Sequence, residues 1–166
     1  MSENDRPGLT DIGENQISGV RLRDCVTVAI DDLAEVAVQE MIRNDRGAVI
    51  VVDPSGKIAG IFTERDVLEL ETRAMVKGGA DWRRAPIREV MTPDPVVIER
   101  SGTIKEALEK MRTGGFRHLP VADPDGRPLG LVSARDILNH VVGYFESELQ
   151  NLPPDPSLEA KSPWGA

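Results

Sequence analysis

Apolar residues recur along the chain with two alternating periods. Ala34, Ala37, Val38 and Met41 follow the i, i+3, i+4, i+7 spacing of one helix face, and Ile104, Ala107, Leu108 and Met111 repeat it. Each stretch predicts an amphipathic helix. Asp31-Asp32 and Ser101 are the expected N-caps, and Asn44 and Gly114-Gly115 the expected stops. After each helix the period shortens. "AVIVV" and "HLPVA" read as strands, followed by "DPSG" or "DPDG" and then by "KIAGIF" or "RPLGLV". Asp, Pro and Gly in those places suit a tight type I turn, so each pair of runs predicts a hairpin. "CVTVAI" and "PVVIER" predict one more strand ahead of each helix, while Glu64 to about Met75 and Ala134 to about Glu148 predict a closing helix.

The two sets of elements are copies of one unit. At an offset of 70 residues, Asp24 to Leu68 aligns without a gap on Asp94 to Leu138, and 12 of the 45 positions are identical. A unit this short buries too little surface to stand alone. The expected fold is therefore α+β, with two β-α-β-β-α repeats packed sheet to sheet about a pseudo-twofold axis. The expected boundaries are an N-terminal arm without apolar period (1–19), a first repeat (20–76), a linker (77–90) ending in a helical turn at Ile87 to Met91, a second repeat (91–148) and a Pro-rich tail (149–166). The tail is expected to be extended, either disordered or draped over a partner.

Composition narrows the function. A net charge of −8 opposes general affinity for nucleic acid, which needs clustered cations, and 4% aromatics leave little for base stacking. The basic stretch "WRRAPIR" reads as a solvated linker face. The purest apolar run, Ala48 to Val52, is far short of the roughly 20 residues of a membrane span. The polar, acidic start "MSENDRPG" lacks the pattern of a secretory signal, so a cytoplasmic location is expected. Cys25 is the only thiol; it forms no intrachain disulfide and reads as a small buried apolar residue. There is no Walker A loop, Rossmann glycine fingerprint, Cys/His metal spacing or nucleophile–base pair, so no catalytic or metal-binding residue and no required cofactor is expected.

The chemistry that repeats is Thr63-x-x-Asp66 in "GIFTERDVLEL" and Ser133-x-x-Asp136 in "GLVSARDILNH". Each word falls where a strand gives way to a helix, whose first N–H groups are unpaired and attract anions. Two uses fit. The hydroxyl and carboxylate have capping-box spacing, the hydroxyl taking an N–H of the first turn and the acid reaching back. Alternatively, the carboxylate accepts two hydrogen bonds from the vicinal diol of a ribose, and the hydroxyl meets the attached phosphate. Capping alone does not explain why Arg precedes Asp in both copies.

The stretches "GAVIVVDPSGKIAGIFTERDVL", "VMTPDPVVIERSGTIKEALEKM" and "FRHLPVADPDGRPLGLVSARDIL" carry a resemblance. From about Val20 to Tyr144 the chain resembles a tandem pair of cystathionine β-synthase (CBS) domains, the Bateman module. The resemblance implies two clefts between the repeats that take AMP, ADP, ATP or S-adenosylmethionine. Asp66 and Asp136 would hold ribose, with Thr63 and Ser133 near phosphate or ribose. Thr27 and Val97 would line the adenine side, and Arg117 and His118 would meet phosphate. Because Gly47-Ala48 replace that basic pair in the first copy, the clefts should differ in charge and affinity. Arg65 and Arg135 are either phosphate contacts or helix-surface residues, His118 is either a contact or a satisfied strand residue, and His140 is exposed or interfacial. The resemblance also implies a homodimer with its last helices in contact. Such modules usually sit beside an enzyme, channel or transporter domain. None is seen in these 166 residues, so a separate effector protein is the expected recipient of the signal. The alternative is an architectural dimerisation module without a small-molecule ligand.

Overall fold

The computed structural model describes residues 12–79 and 81–150, with side chains as far as 146; the Pro-rich segment beyond 150 and the first eleven residues of the arm lie outside the described residues. The first half runs β1 (Thr27–Ala29), α1 (Ala34–Asn44), β2 (Ala48–Val52), β3 (Ile58–Thr63) and α2 (Glu64–Lys77). A two-residue strand, β4 (Thr92–Pro93), leads into β5 (Ile98–Glu99), α3 (Ile104–Gly114), β6 (His118–Ala122), β7 (Pro128–Ser133) and α4 (Ala134–Gln150). The fold is α+β, and the elements described above comprise four α-helices and two mixed sheets. One sheet has the order β1-β2-β3-β4 and the other β5-β6-β7; β1 and β5 run parallel to their neighbours and the hairpins are antiparallel. No helix among the described residues is long and apolar enough to cross a membrane.

The helical periods bury three of the four positions on each predicted face, leaving Val38 half-buried and Leu108 exposed. α1 buries Ala34, Ala37 and Met41, and α3 buries Ile104, Ala107 and Met111. The hairpin turns close through Gly56 and Gly126 at φ near +80°, a conformation that favours glycine, while Asp53 and Asp123 accept backbone N–H groups from across their turns.

The helix ends depart from expectation in three places. Asp32 is spent on the Ala29 N–H (2.8 Å), and α1 starts at Leu33 without a side-chain cap; the Ala34 N–H is taken instead by the Ala85 carbonyl (2.9 Å). In α3 the cap is Thr103, whose Oγ1 accepts from the Glu106 N–H at 3.1 Å, so Ser101 stands two residues too early. Asn44 is the last helical residue of α1, and Asp45 makes the left-handed turn at φ 52°; Gly115 does so after α3 at φ 66°.

The segments ahead of each repeat cross to the other half. Ile17 N–H bonds Gly102 O and Ile104 N–H bonds Asn15 O, matching Ile87 to Asp32 and Ala34 to Ala85 at the same 70-residue offset. Ile12, Ile17 and Val20 are thereby buried in the core of the second half with Ile98, Leu119 and Val132. Their counterparts Trp82 and Ile87 are buried in the first, beside Val28, Met41 and Phe62. The arm thus has an apolar role that its lack of a period hides. In the basic stretch only Trp82 and Ile87 turn inward; Arg83 pairs with Glu71 and Asp81, and Arg88 with Asp31.

A third cluster of Ala48, Ile50, Ile61 and Leu131 packs between the sheets, with Cys25 against it. Burial raises the Cys25 pKa to about 11, which keeps it a thiol and suits an apolar packing role. On β3, a Cβ at Gly60 would lie 2.2 Å from Met91 Sδ, so a larger residue there would push the Met91 side chain aside.

Candidate functional site

At the junction of β3 and α2, chain direction turns at Thr63. Its Oγ1 accepts from the Asp66 N–H (3.4 Å), while Asp66 Oδ2 accepts from both the Thr63 N–H and its hydroxyl at 2.7 Å. Ser133 and Asp136 repeat this between β7 and α4, with Asp136 Oδ2 receiving the Ser133 N–H at 2.9 Å and hydroxyl at 2.5 Å. Both words are therefore complete capping boxes. In each, however, the box occupies only Oδ2. Asp66 Oδ1 has no protein hydrogen bond among the described residues. Asp136 Oδ1 accepts from Arg23 Nε at 2.9 Å.

Each acid stands in the wall of an open cavity. Asp66 and Thr63 line one of about 420 Å³ with Arg65, Thr92, Asp94, Phe116, Arg117 and His118. Asp136 and Ser133 line one of about 750 Å³ with Arg23, Arg46, Arg117, His118 and Arg135, and a neighbouring cavity of about 670 Å³ shares Arg23, Arg46 and Asp136. These volumes fall within the range of small-molecule sites. Glu64, Arg117 and His118 face both main cavities.

The repeat positions explain why the cavities differ. Gly47 and Glu64 in the first half correspond to Arg117 and Ala134 in the second. The Glu64 carboxylate lies 3.2 Å from where a Cβ on Gly47 would be, so the small and charged partners have exchanged sides. Likewise Arg46 corresponds to Phe116, and Arg23 to Pro93. Hence the Asp136 cavity holds Arg23 and Arg46, whereas the Asp66 cavity has the Phe116 ring in place of Arg46 and no side chain equivalent to Arg23 in its wall.

The electrostatics follow. Burial acts to raise the Asp136 pKa, but the Ser133 hydroxyl, the Arg23 guanidinium and the Ser133 N–H outweigh it and hold the carboxyl below its ordinary value. His118 is depressed, first by burial and then by the Arg117 charge, so the imidazole is neutral at pH 7 and would meet a phosphate as a neutral donor.

The structure brings Asp66, Asp136, Thr63, Ser133, Arg65, Arg135, Arg117 and His118 to these cavities. Arg65 also donates to Gly115 O at 2.8 Å, closing the end of α3 from across the two halves. Thr27 and Val97 are not among the residues lining these cavities; Thr92, Asp94, Pro95 and Val96 stand beside Asp66, and Leu22, Arg23 and Asp24 beside Asp136. β1 and β5 lie next to β2 and β6 within their sheets, which leaves the irregular lead-ins nearer the acids. Sequence reasoning also missed Arg23 and Arg46. Carrying the 70-residue alignment back before Asp24 would have exposed the Arg23–Pro93 contrast. His140 lines the cavity of about 670 Å³ with Asn139.

Against known proteins, the CBS domain family matches residues 17–72 and 87–143. The chain is 32% identical over 119 residues to inosine-5'-monophosphate dehydrogenase of Methanocaldococcus jannaschii, covering 72% of this chain and 22% of that enzyme; it spans 57% of another curated relative. Among solved structures, a CBS-domain containing protein from Agrobacterium tumefaciens superposes with a TM-score of 0.62 at 33% identity, over 72% of this chain and 85% of that one. A CBS domain protein from Pyrobaculum aerophilum complexed with AMP gives a TM-score of 0.65 at 21% identity, over 78% of this chain and 99% of that one, a likeness of fold.

Proposed function

This chain belongs to the CBS domain family, and from that premise we propose that it is a regulatory module that binds adenosine ligands and catalyses nothing itself. The observation that carries this is the division of labour on Asp66: Oδ2 completes the helix cap while Oδ1 stays available at a cavity wall. A carboxylate oxygen so placed can accept from a ribose diol without loss of the cap. Thr63 and Ser133 stand beside the ribose, and Arg117, His118 and Arg135 supply donors for a phosphate. AMP, which the Pyrobaculum aerophilum neighbour binds, is the first ligand to test, followed by ADP, ATP and S-adenosylmethionine. A net charge of −8 opposes general affinity for nucleic acid, so no nucleic-acid partner is part of this reading.

A homodimer formed through the closing helices fits the exposed Leu68, Met75 and Val76 on α2 and Leu138 and Val142 on α4. The single thiol suits a reducing, cytoplasmic compartment, and a separate effector protein would receive the signal. Calorimetric titration with the four ligands tests the proposal. Micromolar to millimolar binding supports it, and no heat with any of them at millimolar concentration refutes it. The two complete capping boxes favour a second reading, an architectural dimerisation module. On that reading Asp66→Ala lowers stability and moves no ligand response.

A further inference from the structure

We infer that Arg23 makes the Asp136 cleft selective for phosphorylated adenosines, while the Asp66 cleft accepts phosphorylated and unphosphorylated nucleosides alike. This rests on the function proposed above. Asp136 Oδ1 is the oxygen that would meet the diol, and Arg23 Nε already occupies it at 2.9 Å; the acid side chain is 9% exposed and the arginine 39%. A ribose must therefore displace the guanidinium or share Oδ1 with it. Arg46 lines both cavities on which Arg23 and Asp136 open, and its Nε is buried with no hydrogen-bond partner. An uncharged nucleoside would bring no negative charge to Arg23 and Arg46, leaving them only the wall carboxylates Asp45, Glu64 and Asp136. A nucleotide carries its own anion. Its phosphate can take Arg23 together with Arg46, whose Nη1 otherwise donates to the Asp45 carbonyl at 3.4 Å, so any Arg23 bond given up to the ribose is replaced by charge-assisted bonds to the phosphate.

The other half lacks each part of this device. The residue equivalent to Arg23 is Pro93, the one equivalent to Arg46 is Phe116, and Asp66 Oδ1 has no protein partner to displace among the described residues. The cationic Arg65 and Arg117 are there balanced by Glu64, Glu69 and Asp94. A ribose can enter with or without a phosphate.

Calorimetry of the full chain separates the possibilities by stoichiometry. AMP should fill both clefts and adenosine only one, with adenosine at the second weaker by about tenfold to hundredfold, the value of a hydrogen bond to a charged group. In Arg23→Gln, adenosine should fill both clefts and AMP should lose its advantage; Arg23→Lys, which keeps the charge, should retain the discrimination. Equal filling by AMP and adenosine in the unmodified chain overturns the inference, as does an unchanged adenosine stoichiometry in Arg23→Gln. Should Arg23→Gln fail to fold, the unmodified chain still decides. If neither compound binds the unmodified chain, the inference is overturned, and the proposed function falls only if ADP, ATP and S-adenosylmethionine give no heat as well.

Discussion

The Asp66 and Asp136 clefts share one backbone plan and have opposite contents. Both begin at a capped helix whose acid commits Oδ2 to the cap. Around that common frame, Arg23, Arg46 and Arg117 gather beside Asp136, whereas Asp66 faces Phe116, Glu69 and Asp94, with Arg117 shared by both. The difference teaches that a helix cap and the proposed ligand contact need not compete for one carboxylate. The cap fixes the acid's position with one oxygen, and the repeat is then free to vary what surrounds the other. It also shows how two copies diverge at a cavity wall: Gly47 with Glu64 in one half is replaced by Arg117 with Ala134 in the other, so the small and charged members of the pair trade places and the charge changes sign.

The comparison can be broken first by removing each acid. Asp66→Ala and Asp136→Ala both lose a cap, at about 1 kcal/mol. Asp136→Ala also strands the Arg23 guanidinium and should cost about 1–3 kcal/mol more. Denaturant unfolding measures both, and equal losses would show that the ion pair adds nothing. Next in size, Gly47→Arg combined with Glu64→Ala should give the first half the polarity of the second. The Asp66 cleft should then bind ATP about tenfold tighter than before, a gain that fades with added salt. A calorimetric series at rising salt checks it.

Acid titration sharpens the contrast further. Because the folded pKa of Asp136 lies below the ordinary 3.8, its stabilisation is present above that value and is lost as pH falls through the depressed folded value. Asp136→Asn should therefore flatten the acid decline in melting temperature at the low end. The smallest effect is expected of Arg65→Gln, which removes one exposed bond to Gly115 O, worth about 0.5–1 kcal/mol, and leaves the preference between ligands unchanged.

Much of this was legible in the chain because the deciding interactions are local. The helical spacing of Ala34 to Met41, the "DPSG" and "DPDG" turns and the Thr63-x-x-Asp66 box each depend on residues within a few positions of one another. What escaped depends on contacts across the molecule. Thr103 is the α3 cap because Ile104 also bonds Asn15 O from the distant lead-in, and Leu33 suffices ahead of α1 because Ala85 supplies the missing acceptor. Ile12 and Ile17 carry no period because they lie in short turns that cross to the other half. Arg23 is 113 residues from the acid it grips. No local pattern signals such a pair. The contrast with Pro93 was present in the repeat but lay just outside the stretch where identity is visible.

The central claim is that each cleft recognises the two hydroxyls of a ribose through a carboxylate oxygen left over from a helix cap. The most direct measurement is a pair of calorimetric titrations of the full chain, one with AMP and one with its analogue lacking both ribose hydroxyls. AMP should bind and the analogue should bind about a hundredfold more weakly, the cost of losing hydrogen bonds to a charged acceptor. Equal affinity for the two, or no binding of AMP at all, would contradict the account.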